Sequence, residues 1–434
     1  MSISPTPTAL RILISGAGIA GPCLAYWLTR LPSNLRPTIT IIERSPNPRP
    51  TGQSIDIRGS AITVLNKMGL AEAARARDTT ELGTRILNRS GNLVAEIPKG
   101  EGGGGGLTAE YELLRADMCE LFMDAVKERE GVKYRYGNYV TSLLQDDKKV
   151  DVTFDNGAQE IYDMVVAADG ASSKIRSIIL PKSALEGSYS FTGMYTGFFS
   201  IPALPSDTKH WYWFNEPGGL CMMMRPHRTG KTVGVYMVIC TRALGVQLPD
   251  VEAALESGVG AQKALLKEYF ANSGWRAKRI LGELDASDDF YMSRSAQIKL
   301  PIWHSNRTVL IGDAAFATMG VATSLAIQSA YYLAGEISKI KSSEDIPAAL
   351  TRYEAEFRDK VYKKMEDMPF GFPQIMFPQT AMGLKVRDAV AWTVGKTKVW
   401  KLLPGEDTEG AGKLAEYEWA EACQASRLGR IMSY

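Results

Sequence analysis

RILISGAGIAGPCLAYWLTR (residues 11–30), followed by TITIIE (38–43), decides the fold of this chain. The pattern predicts a short apolar strand, a glycine turn, a helix and a second strand, which is the order of a dinucleotide-binding unit. Gly16 allows the sharp turn, Gly18 leaves the backbone open to a pyrophosphate, and Gly21 lets the helix pack closely on the strand. Glu43 ends the second strand, where its carboxylate can accept hydrogen bonds from a ribose diol. The sequence therefore predicts a dinucleotide at the positive end of the first helix.

Composition excludes several other classes of protein. The 434 residues suffice for two or three domains, or for one large domain with an inserted sheet. A net charge of +2 offers no strong field for nucleic acid or an anionic membrane, and three histidines leave little room for a histidine-rich metal centre. The five cysteines lack a C-x-x-C pair, which indicates buried thiols in a reducing compartment. Neither a signal peptide nor a membrane-spanning stretch is evident, so we expect a cytoplasmic protein without a metal.

The segment between residues 44 and 183 predicts further strands and helices of the nucleotide domain. A helix is expected from Ser60 to the break at Gly69, a hairpin over 82–98, and a helix beginning near Arg115. Three or four strands are expected between residues 132 and 168. The five glycines 102–106 predict a flexible surface loop.

Asp169 follows an apolar strand and precedes ASSKIR (171–176). This position suits a phosphate or ribose contact at the carboxyl end of a sheet. It equally suits the start of a capped helix, with Asp169 or Ser172 as the N-cap. The sequence leaves both interpretations open.

Alternation of apolar and polar residues over 189–241 predicts an antiparallel sheet inserted into the nucleotide domain. Its aromatic and methionine side chains are either core residues or the wall of a cavity for a flat, apolar ligand. Arg58 and Arg225 either orient a polar substrate or are solvated surface residues. The candidate substrate-binding residues are Arg58, Trp213, Phe214, Met222, Met224, Arg225 and Tyr236.

The stretch 307–337 repeats the strand–turn–helix pattern of residues 11–30. TVLI (308–311) predicts a buried strand, Gly312-Asp313 a turn, and TSLAIQSAYYLAGEI (323–337) a long helix with Thr323 and Ser324 in its first turn. The positive end of such a helix can stabilise a developing anion. From about residue 347 the chain reads as mostly helical. Its interruption PFGFPQIMFPQ (369–379) either lines a cavity mouth or is a plain linker.

GAGIAG with Glu43-Arg44, the Arg115 helix, AADGASSKIR (167–176) and IGDAAF (311–316) occur in an order that resembles the flavoprotein aromatic hydroxylases. These are the FAD-dependent monooxygenases of the p-hydroxybenzoate hydroxylase fold, and the resemblance covers residues 10–370. GQSIDIRGSAITVLNKMGL (52–70) and the 323–337 helix look most like the branch that contains tetracycline-inactivating monooxygenases and biosynthetic relatives.

The resemblance implies an α/β (α+β) fold, in which a Rossmann-like FAD-binding domain carries an inserted, mostly antiparallel substrate-binding sheet and C-terminal helices. The expected ranges are 1–183 and 297–370 for the FAD-binding domain, 184–296 for the sheet domain and 371–434 for the C-terminal helical region. Arg115 is expected near the ribityl and phosphate region of FAD, Asp169 in a motif serving FAD and NADPH, and Asp313 at the ribityl chain. The implied cofactor-binding residues are Gly16, Gly18, Ala20, Gly21, Glu43, Arg44, Arg115, Asp169, Gly312, Asp313 and Gly320.

One departure from the family pattern lies in the loop after Asp313. Relatives usually carry His or Tyr, a proline and a G-x-G there, beside the flavin. This chain has Phe316, no proline, a segment about three residues shorter, and only Gly320 of the glycine pair, with Ala322 in the other place. A flavin-facing loop of different shape is therefore expected.

The leading hypothesis is a monooxygenase that takes up a small-molecule substrate and O2. By resemblance, transiently bound NADPH reduces the flavin, O2 forms a C4a-hydroperoxide, and one oxygen atom passes to a large, flat, mostly apolar substrate of secondary metabolism. No residue is nominated as a catalytic base. A redox-neutral cyclase or isomerase with the same FAD, and a binding protein that has lost the flavin, are the alternatives. The sequence predicts no nucleic-acid partner and leaves the oligomeric state open.

Overall fold

The computed structural model describes residues 9–48, 52–100, 108–365, 372–397 and 414–420. The glycine run 102–106 lies outside these residues. The strands are β1 Arg11–Ser15, β2 Thr38–Glu43, β3 Ser54–Ile57, β4 Gly83–Leu87, β5 Leu93–Pro98, β6 Tyr111–Leu114, β7 Val132–Tyr136, β8 Val140–Gln145, β9 Val150–Phe154, β10 Gln159–Tyr162, β11 Met164–Ala167, β12 Tyr189–Pro202, β13 Trp211–Glu216, β14 Leu220–Pro226, β15 Thr232–Cys240, β16 Tyr291–Ile298, β17 His304–Ser305 and β18 Thr308–Leu310.

The α-helices are α1 Ala20–Leu28, α2 Ser60–Met68, α3 Ala71–Arg75, α4 Arg115–Asp124, α5 Lys174–Ile179, α6 Lys182–Leu185, α7 Pro249–Ser257, α8 Val259–Phe270, α9 Ala277–Glu283, α10 Asp313–Phe316, α11 Ala322–Ile337, α12 Ile346–Phe357, α13 Lys363–Met365, α14 Phe372–Met376 and α15 Ala381–Thr397. A 3₁₀ turn precedes α12 and a π-helical turn follows it. Within the described ranges, no helix is long and apolar enough to cross a membrane.

The nucleotide domain is built on a six-stranded sheet in the order β17-β18-β11-β1-β2-β7. Its strands β1 and β11 are apolar because they are buried in one core with α1, α11 and the strands β8 to β10. The strands of the sheet are parallel except at β17. The carboxyl ends of β1, β2, β11 and β18 therefore meet at one edge. α1 and α11, which pack against each other, both begin at this edge. The mixed α/β architecture and the opening strand–turn–helix–strand unit are confirmed.

The second large sheet has seven strands in the order β16-β12-β15-β14-β13-β4-β5. It is antiparallel except where β13 pairs with β4. The hairpin β4–β5 is confirmed as a hairpin, but it belongs to this sheet. Residues 83–98 thus pair with the second sheet, although they stand within the range 1–183 predicted for the FAD-binding domain.

Two smaller sheets complete the strands. β8, β9 and β10 form an antiparallel meander, and β3 pairs with β6. Residues 132–168 thus contain five strands, β7 to β11, rather than three or four.

The seven-stranded sheet has two apolar faces that we name by their surroundings. The outer face packs against α7, α8 and α9 through Val251, Leu266, Phe270 and Ile280. The inner face is directed at the nucleotide domain, where Met319 of the loop before α11 packs on it and the Tyr236 hydroxyl accepts a hydrogen bond from the Ser54 N–H at 2.8 Å. Buried side chains of the inner face are Met194, Trp213, Cys221, Met223, Tyr236, Val238 and Cys240.

The C-terminal segment 414–420 lies across the back of the nucleotide domain without regular secondary structure. The Trp419 ring lies 4.6 Å from that of Trp27 on α1 and 5.5 Å from that of Tyr331 on α11. The Tyr417 ring covers Gly335, where a Cβ would come within 2.3 Å of it. The prediction of a helical C-terminal region is therefore correct for 372–376 and 381–397 but wrong for 414–420.

Candidate active site

The glycine turn between β1 and α1 combines close packing with an open backbone. Gly16 has φ +117°, and a Cβ there would lie 2.2 Å from the Ala168 carbonyl oxygen. A Cβ at Gly21 would lie 2.1 Å from the Gly16 carbonyl oxygen. At Gly18 the nearest atom to a Cβ would be the Arg115 Nη2, at 3.8 Å. Gly16 and Gly21 are thus fixed by protein packing, whereas Gly18 leaves space for a ligand.

Glu43 holds the turn from the next strand. Its carboxylate accepts hydrogen bonds from the Ala17 N–H at 3.1 Å and the Ser45 N–H at 3.0 Å. An ionised carboxylate has about four acceptor positions, so two remain for a diol. Arg44 is exposed next to it.

Arg115 and Asp313 form the opposite side of this edge. The Arg115 N–H donates to the Gln53 carbonyl at 3.0 Å, and its guanidinium reaches towards Gly18. Burial raises the pKa of Asp313, and the charge of Arg115 opposes that rise. Gly312, with φ +57°, brings this turn against α1, because a Cβ there would lie 3.2 Å from the Ala20 Cβ. The structure therefore brings these predicted residues together.

Asp169 lies beside the Gly16 turn and contacts the first turn of α5. Its Oδ2 accepts a hydrogen bond from the Lys174 N–H at 3.2 Å, and its Oδ1 is buried. Burial raises the pKa of Asp169, and hydrogen bonds from Ser173 and the α5 backbone oppose the rise. The N-cap itself is Ser173, whose Oγ accepts from the Arg176 N–H at 3.1 Å, and not Ser172 or Asp169. A capped helix does begin here, but the predicted N-caps Asp169 and Ser172 are wrong, and the cofactor contact of Asp169 stays a prediction.

The N-terminus of α11 opens onto the same edge. No side chain caps it, and its first turn contains the predicted Thr323 and Ser324. The Ser324 Oγ accepts a hydrogen bond from the Arg58 N–H at 2.9 Å, and the Arg58 guanidinium pairs with Asp56 at 3.1 Å. The first-turn amides of a helix lack intrahelical partners, so this end carries positive potential.

Phe316 does not face this edge. It is 1% exposed and packs against Trp303, Phe357 and Tyr362, with ring centroids 4.8–5.4 Å away. This side chain therefore belongs to the core behind the loop, and the different loop shape stays a prediction. Gly320 has φ +89° with open space around it, so its backbone conformation, and not crowding, requires glycine.

The inner face carries two of the predicted substrate-binding residues, Trp213 and Tyr236. Phe214, Met222 and Met224 lie on the outer face, in the core with α7 to α9. Their assignment to the substrate wall is therefore wrong. The reason is the pleat, since successive residues of a strand point to opposite faces.

Sequence reasoning missed other residues of the inner face. Met223 pairs with Trp213 across the β13–β14 hairpin, and the register of that hairpin was the signal that would have found it. Phe377 stacks on Trp213 at 6.0 Å, so part of the 369–379 interruption lines the inner face. The Phe198 ring lies 4.9 Å from the rings of both Tyr236 and Tyr291. With Gln53, His227 and Asp289 these three rings line a small pocket of about 10 Å³ near Arg115.

Arg225 also points to the inner side but is not available to a substrate. Its guanidinium donates to Glu81 at 2.9 and 3.2 Å, pairs with Glu112 at 2.6 Å and lies 3.9 Å from the Trp211 ring. Burial raises the pKa of Glu112 to about 8, against the opposing charge of Arg225. Both interpretations of Arg225, substrate ligand and solvated surface residue, are therefore wrong. It is a buried cation that joins the two large parts of the molecule.

Residues 9–368 match the protein family described as FAD binding domain, which covers well over half of the chain. The chain belongs to this family. The match agrees with the geometry: an open backbone at Gly18, the uncapped α1, the Arg115 guanidinium and the Glu43 carboxylate fit the pyrophosphate and ribose of FAD. The protein is an FAD-dependent monooxygenase.

Named relatives agree with this membership. This monooxygenase is 35% identical over 340 residues to the FAD-dependent monooxygenase asL4 of Sarocladium schorii, covering 76% of each chain. It is 33% identical over 425 residues to Monooxygenase CTB7 of Cercospora beticola, covering 94% of this chain and 98% of that one. Among solved structures it is similar to the tetracycline destructase Tet(51), with TM-score 0.71 and 25% identity over 95% of this chain and 100% of the other. The predicted family resemblance is confirmed.

Proposed function

We propose that this monooxygenase consumes NADPH and O2 to hydroxylate or epoxidise a large, flat, mostly apolar small molecule of secondary metabolism. The observation that carries the proposal is the inner face, whose aromatic and methionine side chains oppose the uncapped N-terminus of α11. A flat apolar substrate gains most of its binding free energy by burial against such a wall, and a few polar groups then fix its orientation.

FAD would be held by the residues gathered at the sheet edge. Gly18 and the α1 N-terminus would bind the pyrophosphate, Glu43 the adenosine ribose, and Arg115 and Asp313 the phosphate and ribityl region. When bound, the flavin supplies the electron transfer and the oxygen chemistry implied by the family resemblance. The uncapped amides of α11 near Thr323 and Ser324 would stabilise negative charge on the reduced ring.

Arg58 is the proposed polar anchor of the substrate. Its backbone N–H holds Ser324, and its guanidinium pairs with Asp56 where β3 meets α11. Tyr236 is the second polar group of the wall. Burial raises its pKa, so the phenol keeps its proton at neutral pH, and its oxygen already accepts from the Ser54 N–H. Its O–H is then a donor to a substrate oxygen.

NADPH is proposed as a transient reductant, because the sequence has one glycine fingerprint and FAD would occupy it. The test is the visible spectrum of the purified protein, followed anaerobically while NADPH is added. We expect a two-banded flavin spectrum that bleaches, and bleaching that a true substrate accelerates. With ¹⁸O₂, one labelled oxygen atom should appear in the product.

Three results would contradict the proposal. Bound flavin that stays oxidised in the presence of NADPH and candidate substrates would favour a redox-neutral cyclase or isomerase. Conversion of a substrate without NADPH or O2 would establish that alternative. NADPH consumption that yields only peroxide with every plausible ligand would refute the proposed oxygen insertion.

A further inference from the structure

Helix α15 is anchored to the substrate-binding sheet by one side only. Its buried residues are Leu384, Arg387 and Ala391, and the Arg387 Nη1 donates to the Asn215 Oδ1 at 2.9 Å. Ala391 packs on Ile86 and Ala95 of the β4–β5 hairpin. These contacts fix the rotation of the helix about its axis and so determine which side chains face away from the protein.

An exposed apolar stripe runs along the side that faces away. Met382, Val386 and Val390 are 67%, 58% and 58% exposed, and their spacing of four residues places them in one stripe along the helix. Trp392 is 54% exposed and, by helical spacing, lies on the other side of Lys385 from this stripe. Single exposed apolar residues are common on soluble proteins, but a continuous row of them marks a contact surface.

Positive charge borders the stripe. Lys385 and Lys396 are exposed at its edge. Asp388, the acidic residue of the helix, is paired with Arg387 at 2.7 Å. The sequence after the helix continues with Lys398, Trp400 and Lys401. The net charge of +2 for the whole chain conceals this local excess of cations.

We propose that the outward stripe of α15 docks on an anionic lipid surface. An exposed apolar stripe, lysines at its border and a tryptophan beyond the lysines are features with which a helix lies in the headgroup region of a bilayer. Lysine and arginine near the surface are attracted to anionic headgroups, and tryptophan favours the interface. α15 has 17 residues and would lie flat on the bilayer, with its opposite side still packed on the sheet.

The test is co-sedimentation of the full-length, FAD-loaded protein with vesicles. Wild-type protein should bind vesicles of phosphatidylcholine with phosphatidylglycerol and bind phosphatidylcholine alone much more weakly. V386E/V390E should lower binding by about tenfold or more, because two apolar contacts are replaced by charges that the headgroups repel. K385Q/K396Q should remove the preference for phosphatidylglycerol.

The matched control is L144E/I161E, which places two glutamates on exposed apolar positions of the β8–β10 sheet, 70% and 46% exposed. It should bind vesicles like the wild type. Unchanged flavin content and melting temperature of V386E/V390E would exclude misfolding as the cause of its loss. The proposal fails if wild-type protein does not co-sediment, or if the control loses as much binding as V386E/V390E. It also fails if sedimentation velocity reveals a dimer that V386E/V390E dissociates while vesicle binding is absent, because the stripe would then be a protein interface.

Discussion

Replacing Gly18 by alanine separates cofactor binding from folding. A Cβ at this position would have the Arg115 Nη2 as its nearest neighbour, at 3.8 Å, which is an ordinary van der Waals contact. The backbone of Gly18 is not in the left-handed region. The apoprotein should therefore tolerate the methyl group, and its free energy of unfolding should change by less than about 0.5 kcal/mol.

The same methyl group would occupy the space through which the pyrophosphate approaches the backbone. Each charge-assisted hydrogen bond lost between an N–H and a phosphate oxygen costs about 1.5–3 kcal/mol. One such loss raises the Kd for FAD about 10- to 150-fold. Gly21→Ala should differ, because its Cβ would lie 2.1 Å from the Gly16 carbonyl oxygen and overpacking of this kind costs about 1–3 kcal/mol of stability.

The assay is titration of the apoprotein with FAD by flavin fluorescence, together with thermal unfolding of the apoprotein. Gly260→Ala in α8, where nothing lies within 4 Å of the added Cβ, is the control for a harmless glycine replacement. Wild-type affinity in Gly18→Ala would refute the placement of the pyrophosphate. A melting temperature of apo Gly18→Ala as low as that of Gly21→Ala would refute the claim that Gly18 is kept open for a ligand.

Three further predictions concern packing, pH and the substrate wall. Gly335→Ala should lower the free energy of unfolding by about 1–3 kcal/mol, because its Cβ would lie 2.3 Å from the Tyr417 ring. The double variant with Tyr417→Ala should lose less stability than the sum of the losses of the two single variants. Burial raises the pKa of Glu112 from 4.5 to about 8, so between these values the folded protein holds a proton that the unfolded chain releases. The free energy of unfolding should therefore fall as the pH rises through this range, by at most about 1.4 kcal/mol per pH unit. Denaturant unfolding across this pH range should show that the free energy of unfolding of Glu112→Gln depends less on pH than that of the wild type. Equal pH dependence of the two proteins would contradict the raised pKa of Glu112. Met223→Ala should raise the KM for the substrate, whereas Met222→Ala, on the outer face, should lower the melting temperature and leave the KM unchanged. The opposite result would mean that the outer face, and not the inner face, binds the substrate.

The nucleotide-binding half of the site was predictable because its signals are local. Strands 11–15 and 38–43 have the predicted bounds, and α2 runs from Ser60 to a left-handed cap at Gly69. α4 begins at Arg115, and α11 begins one residue before the predicted start. Apolar runs, glycine turns and helix starts act over a few neighbouring residues, so one sequence suffices to recognise them.

The substrate side was less predictable because strand pairing decides it. Residues 222–224 are all methionine, so the sequence does not show which of them point to the inner face. The strand register, which pairs Met223 with Trp213 and with Tyr236, places Met223 on that face. Likewise, β4 joins β13 although more than a hundred residues separate them. No local pattern encodes a partner so distant in the chain.

Charged and aromatic residues differ in the same way, because local patterns were predictable and distant contacts were not. The sequence determined that this chain has a dinucleotide fold, and its family resemblance implied that glycines, an acid and an arginine gather at the sheet edge. It left open whether the aromatic residues of the inserted sheet are core or cavity wall. Only the tertiary structure decided that Arg225 forms ion pairs with Glu81 and Glu112. It also decided that Phe316 packs into the core and that residues 414–420 lie across α1 and α11. The physical reason is that a side chain's role depends on which distant groups share its burial, and that is fixed when the sheets and helices pack together.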